Sequence, residues 1–267
     1  MTGHLDLVCG LGAKGLSQLN HQSFRAPMHL SKPHLDGATL VVNVVNPTAG
    51  LFEGDEVTCK VRVETGARLL LTSPSASRAH CMAGDGEARL AQDFAVEKNG
   101  WLEVLPEYFI PQAGTRYRQR TQIGLDEGAG LLFFETLAPG RVASGEAFEF
   151  QYLDWETDIY YDGVKVVREK YRLTPASLQF LRNQFATGYY ASIFLFHPAI
   201  MPESACWKSI IALQGESVWA GCSRLHHSGW SIKLLAADSV SFRRALQAVR
   251  EACYRALSEA MPALRRN

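Results

Sequence analysis

The chain has 267 residues, 47% of them hydrophobic and 20% charged, proportions that give a globular protein a sizeable core. Its 27 basic side chains balance 27 acidic ones, so no long-range field draws it to nucleic acid or to an anionic membrane. The apolar runs are strand-sized, well short of the ~18 residues of a membrane helix. The N-terminus lacks the basic start and continuous apolar core of a secretory signal. Six cysteines without a Cys-x-x-Cys pair read as reduced thiols, and the expected location is the cytoplasm. A chain with no net charge tends to associate, and a partner would relieve that tendency.

Residues 1–45 read as a polar lead into β structure, with weak alternation at Leu5, Leu7 and Cys9 and a β-branched strand at Thr39-Leu-Val-Val-Asn-Val-Val45. A glycine loop follows, Asn46-Pro-Thr-Ala-Gly50-Leu-Phe-Glu53-Gly54-Asp55. Beyond it Val57, Cys59, Val61 and Val63 alternate with Thr58, Lys60, Arg62 and Glu64, the period-two pattern of a half-buried strand. Glu64-Thr-Gly66-Ala then turns the chain into Arg68-Leu-Leu-Leu-Thr72.

The same strand, acidic glycine turn and apolar strand recur around Gly100 and again around Gly128. Imperfect repetition of one unit predicts stacked β layers that bury each other's faces. Between the copies lie loops at 72–86, 106–114 and 137–146, the places where binding function sits on a rigid sheet. Asp162-Gly163 predicts a hairpin between two strands within 147–173. Thr174-Pro175 predicts a short helix running through Leu178 and Leu181. Strands are expected at 191–196, 218–224 and 230–235. After Asp238, Phe242, Ala245, Leu246, Val249, Cys253, Ala256 and Leu257 form a helical stripe, with Arg243, Arg244, Arg250 and Arg255 as its polar flank. The expected fold is mainly β, a stacked β-strand superhelix with one C-terminal helix and a short internal one. It forms a single domain over 1–267 in which 1–24 is the least defined part.

The residues offer little chemistry. No glycine loop ending in Gly-Lys-Ser/Thr and no Gly-x-Ser-x-Gly elbow occurs. Glu53 and Asp55 lie two apart, and a stand-alone β-helical carbohydrate-active enzyme could use such carboxylates; solvated turn acids are the simpler reading. His80 and Cys81 are candidates for a weak, transient metal contact, and no stable metal site is expected. His226 and His227 would face opposite ways on a strand. Arg141 and Glu146 flank a glycine-bearing loop and are expected to hold its shape as an ion pair. Taken alone, the residues favour a binding or assembly protein over an enzyme.

The ordered set of motifs resembles the UreD (UreH) family of urease accessory proteins. Gly50, Gly54 and Asp55 stand at the family's glycine–aspartate loop. Gly66 and Thr72 match its Gly-Ala-x-x-x-x-Thr strand pair, and Gly140-Arg141 with Gly145-Glu146 match its Gly-Arg and Gly-Glu loop. The segment Gly100-Trp-Leu-Glu-Val-Leu-Pro106 and the C-terminal helix also match, so that the resemblance covers roughly residues 25–257. The chain departs from the family with Ala49 before Gly50, with Glu53 where glycine is frequent, and with Ser77-Arg-Ala-His80-Cys81 in place of a basic-aromatic-tyrosine cluster. The resemblance implies a β superhelix that hydrolyses nothing itself. It implies a scaffold that binds apo-urease subunits and UreF, reaches the GTPase UreG through UreF, and supports delivery of nickel and carbon dioxide to the urease active site. Nickel is then cargo in transit, with a route through the protein's interior, and the chain holds no cofactor stably.

Overall fold

The computed structural model describes residues 1–185, 188–227 and 229–264. Two sheets face one another. The seven-stranded sheet contains β1 (Thr2–Leu11), β2 (Ser17–Arg25), β6 (Glu56–Val63), β9 (Ala88–Val96), β12 (Arg116–Leu125), β14 (Tyr152–Tyr161) and β15 (Val164–Leu173), in the spatial order β15-β14-β12-β9-β6-β1-β2. The eleven-stranded sheet contains β3 (His29–Leu30), β4 (His34–Asp36), β5 (Thr39–Val45), β7 (Arg68–Thr72), β8 (Ser77–Ala79), β10 (Trp101–Leu105), β11 (Phe109–Pro111), β13 (Gly130–Leu137), β16 (Tyr189–Phe196), β17 (Val218–Arg224) and β18 (Gly229–Ala236). Its main path runs β17-β18-β16-β13-β10-β7-β5-β3.

The predicted repeat is the architecture. β6 turns into β7, β9 into β10 and β12 into β13, each passing from the first sheet to the second. Like strands of successive coils pair in parallel, β6 with β9 and β9 with β12, β7 with β10 and β10 with β13. The glycine turns stack through backbone bonds, Gly66 N–H to Lys98 O at 3.1 Å, Trp101 N–H to Ala67 O at 2.9 Å and Gly130 N–H to Gly100 O at 2.8 Å. All three turns therefore lie at one end of the sandwich, and the longer return loops gather at the other.

Alternation sends Val57, Cys59, Val61 and Val63 inward and leaves Thr58, Lys60 and Arg62 exposed. β10 and β13 are buried along their whole length, because the second sheet is covered on both faces. Its outer cover is the long helix α3 (Ser239–Leu257) with a short helix α2 (Ala205–Ile211). Asp238 caps α3 by accepting from Val240 N–H and Ser241 N–H.

Four expectations need correction. The polar lead at the N-terminus is two regular strands, and β1 pairs in parallel with β6 inside the first sheet. The internal helix α1 spans only Gln179–Gln184; Thr174 instead closes a turn by accepting from Ser177 N–H at 3.2 Å. A second internal helix, α2, also exists, capped by Ser204 and held by Trp207 stacked 3.6 Å from Trp230. Arg250 is not on the polar flank of α3 but only 2% exposed, because Glu103 on β10 meets it there. Among the described residues no helix is long and apolar enough to cross a membrane.

Candidate functional site

The return loops are locked together at the loop end of the sandwich. Glu53 accepts from Gly84 N–H at 2.8 Å and Gly86 N–H at 2.6 Å, and these bonds hold its carboxyl below the usual carboxylate range. Arg116, at the start of β12, donates to the carbonyls of Gly86 (2.6 Å) and Gly84 and to Gln151 Oε1 (2.9 Å). Thr115 Oγ1 donates to Ala79 O at 2.9 Å, and Leu51 N–H to Arg78 O at 2.8 Å. Glu146 accepts from Arg141 and from Ala113 N–H, and the arginine hydrogen bond holds its carboxyl low. The loops at 46–55, 73–87, 106–115 and 138–151 thus form one interlocked rim.

Two glycines make the rim possible. Gly50 has φ +145°, and a Cβ there would lie 2.7 Å from Arg78 O. Gly140 has φ +150°, and a Cβ there would meet Glu146 O at 2.8 Å. A side chain at either position would push a neighbouring backbone away.

The rim gathers most residues singled out in the sequence. Asp55 is buried, with Oδ2 accepting from Phe52 N–H at 2.8 Å and Oδ1 from the Met1 ammonium at 2.5 Å. Gly54 N–H donates to Glu87 O, and Gly145 ends a single 3-10 turn over Val142–Ser144. Thr72 lies where β7 leaves the sheet and donates to Leu105 O at 2.6 Å. Gly66 is apart from the others, at the turn end. Glu53 and Asp55 do not share a face; each carboxylate is taken up by backbone groups of a different segment.

His80 Nε2–H donates to Ala49 O at 3.0 Å and its ring stacks on Phe52, with centroids 4.4 Å apart. That leaves Nδ1 as its free ring nitrogen. Cys81 is exposed beside Gly114. Among the described residues no group of three or more His, Cys, Asp or Glu side chains is arranged to hold a metal ion. His226 and His227 lie in the turn after β17 rather than on a strand, and His227 stacks on Tyr161.

A cavity of about 160 Å³ leads inward from the rim. Ser75, Ser77 and Arg78 lie exposed at its mouth, and Gln92, Gln119 and Glu135 line it between the sheets. Glu135 accepts from Trp155 Nε1–H at 2.8 Å, Gln119 Nε2–H at 2.9 Å and Thr157 Oγ1–H at 2.9 Å. Burial drives its carboxyl up to about 7, against the opposing pull of the Trp155 and Thr157 hydrogen bonds. The Thr136 hydroxyl also lines the cavity and, among the described residues, is buried without a hydrogen-bond partner.

Glu135 belongs to a polar belt across the apolar interior. Gln92, Thr121, Thr157 and Glu169 are successive neighbours across β9, β12, β14 and β15. Glu135, Ser192 and Lys233 are successive neighbours across β13, β16 and β18. The two rows meet, since Thr157 bonds Glu135 and Ser192 bonds Glu169 at 2.5 Å. Sequence reasoning missed this belt, although a glutamate after Leu131-Leu-Phe-Phe134 was a visible signal.

A family profile described as "UreD urease accessory protein" matches residues 1–267. A protein of Opitutus terrae named "Urease accessory protein UreD" is 40% identical over 269 residues, covering 98% of this chain and 96% of that protein. Proteins of the same name from Herpetosiphon aurantiacus and Acetivibrio thermocellus are 30% and 28% identical, covering 91% and 90% of this chain and 84% and 93% of their own lengths.

Proposed function

This chain belongs to the UreD family of urease accessory proteins, with a role in urease maturation, and from that premise we propose that it is a scaffold without catalytic chemistry of its own. It binds apo-urease subunits and UreF in the cytoplasm, meets UreG through UreF, and so supports GTP-dependent nickel insertion. The observation that carries this reading is the rim. Four loops are held by charge-assisted bonds to backbone groups, which gives a partner a preorganised surface and lowers the entropy cost of docking.

Nickel is cargo here and not a resident cofactor. The cavity offers it serine hydroxyls, amide oxygens and the carboxylates of Glu107 and Glu135, oxygen ligands that suit passage of a hydrated divalent cation better than retention. His80 and Cys81 lie beside the same rim and are candidates for a transient contact at entry or exit. Because the Glu135 carboxyl titrates at about 7, nickel reaching it displaces a proton, and its hold on nickel strengthens as pH rises through 7. Glu53 and Asp55, bound to loop backbone, are assigned to architecture rather than to glycoside chemistry.

Co-expression of the tagged chain with UreF and the urease subunits tests the reading. Both partners should co-purify with it. A folded, soluble chain that recovers neither would end the scaffold assignment.

A further inference from the structure

On the outer face of the first sheet, an acidic strand lies between two basic ones. Asp154, Glu156 and Asp158 on β14 are flanked by Arg118 and Arg120 on β12 and by Arg168, Lys170 and Arg172 on β15. Arg120 reaches Asp154 at 3.2 Å and Glu156 at 3.3 Å, and Lys170 reaches Glu156 at 3.2 Å. Arg168 reaches Glu156 at 3.3 Å and Asp158 at 2.6 Å. The two signs lie at different depths. The three acidic side chains are between 6% and 16% exposed, whereas those of Arg118, Arg120, Arg168 and Lys170 are between 35% and 56% exposed. Another surface approaching this sheet therefore meets cations first. Five bases stand over three acids, so the face is positive although the chain as a whole has no net charge.

The helices α2 and α3 cover the second sheet, and this face of the first sheet is left to its charged side chains. It is also continuous with the rim. The Glu87 carboxylate accepts from Tyr152 O–H at 2.7 Å and lies 3.2 Å from Arg118 Nε, while the Glu87 carbonyl accepts from Gly54 N–H in the glycine loop. The buried carboxylates fix the long basic side chains in place, so that less conformational entropy is lost when a partner meets them. We propose that the outer face of the first sheet is a docking surface for the acidic face of a partner protein, which reaches over it from the rim. The charges there select the partner and speed its arrival more than they add to its affinity. This rests on the scaffold reading, which brings partners to the rim.

The test is recovery of UreF and of the urease subunits on the tagged full chain after co-expression. Lys170→Glu combined with Arg172→Glu should cut recovery of one partner about tenfold and leave the other at its wild-type level. Raising sodium chloride from about 0.05 M to about 0.5 M should release that same partner from the wild-type chain. Lys170→Arg, which keeps the charge, should behave as wild type. Should the double variant fail to fold, Lys170→Gln is read in the same way, because Arg120 and Arg168 still hold Glu156. Wild-type recovery of both partners by the folded variant would overturn the docking face and leave the scaffold reading standing. Equal loss of both would also overturn it, since the change then acts on the whole chain rather than on one face. If the wild-type chain recovers neither partner, the scaffold reading fails and the docking face falls with it. Recovery abolished by nuclease treatment of the wild-type lysate would assign the face to nucleic acid and overturn the proposal.

Discussion

Glu135 is a carboxylic acid placed where water cannot solvate its charge, and that makes it sensitive to pH. Its value of about 7 lies above the ordinary 4.5, so the folded chain holds the proton more tightly than the unfolded one. The sign follows from linkage. The stabilisation is complete below pH 4.5 and is lost as pH rises through about 7. Glu135→Gln does not titrate. Relative to wild type it should gain on the order of 3 kcal/mol between pH 4.5 and pH 8, by urea denaturation at both values. Parallel curves for the two proteins would show that the carboxyl is not perturbed. Asp55 is the second telling residue. Asp55→Ala leaves the Phe52 N–H and the Met1 ammonium without their acceptor. The loss of such a cap costs about 1 kcal/mol, and recovery of UreF and urease in a pull-down should fall severalfold. Wild-type recovery would remove Asp55 from the rim's architecture.

At the scale of elements, α3 is fastened to the second sheet by one buried ion pair. Arg250 donates to Glu103 at 2.5 and 2.9 Å and to Pro262 O at 2.9 Å, and Tyr254 O–H donates to Glu103 at 2.7 Å. Arg250→Met leaves the fully buried Glu103 uncompensated and should cost about 3–5 kcal/mol in urea denaturation. Adding Glu103→Gln to that variant should recover part of the loss, because it removes the stranded charge. An additive double variant would mean the pair is not coupled. This pair also marks the limit of what pattern reveals. The coils were legible because alternation and glycine turns are local signals, repeated at Gly66, Gly100 and Gly128. The partner of Arg250 lies 147 residues away, so its spacing on the helix read as solvated. Helix α2 escaped for another reason. Its seven residues are too few to show a period, and a cap with a tryptophan stack holds them. The belt was hidden because it depends on which strands of two sheets face each other, and β13 showed only an isolated glutamate.

For the whole molecule, the superhelix separates two kinds of end. Stacked turns close one end with backbone bonds, and the return loops form a locked rim around a cavity at the other. The rim residues legible from sequence, Gly50, Gly54, Asp55, Arg141, Gly145 and Glu146, hold loops in place. Glu135 and Gln119, which were not legible, line the interior. The scaffold reading joins these parts, with partners docking at the rim and nickel passing near or through the cavity beneath it. It is tested most directly by the nickel content of urease purified from cells that express the urease subunits, UreF and UreG with or without this chain. Nickel per active site should fall at least tenfold when the chain is left out, and return when it is supplied. Equal nickel in both preparations would contradict the account.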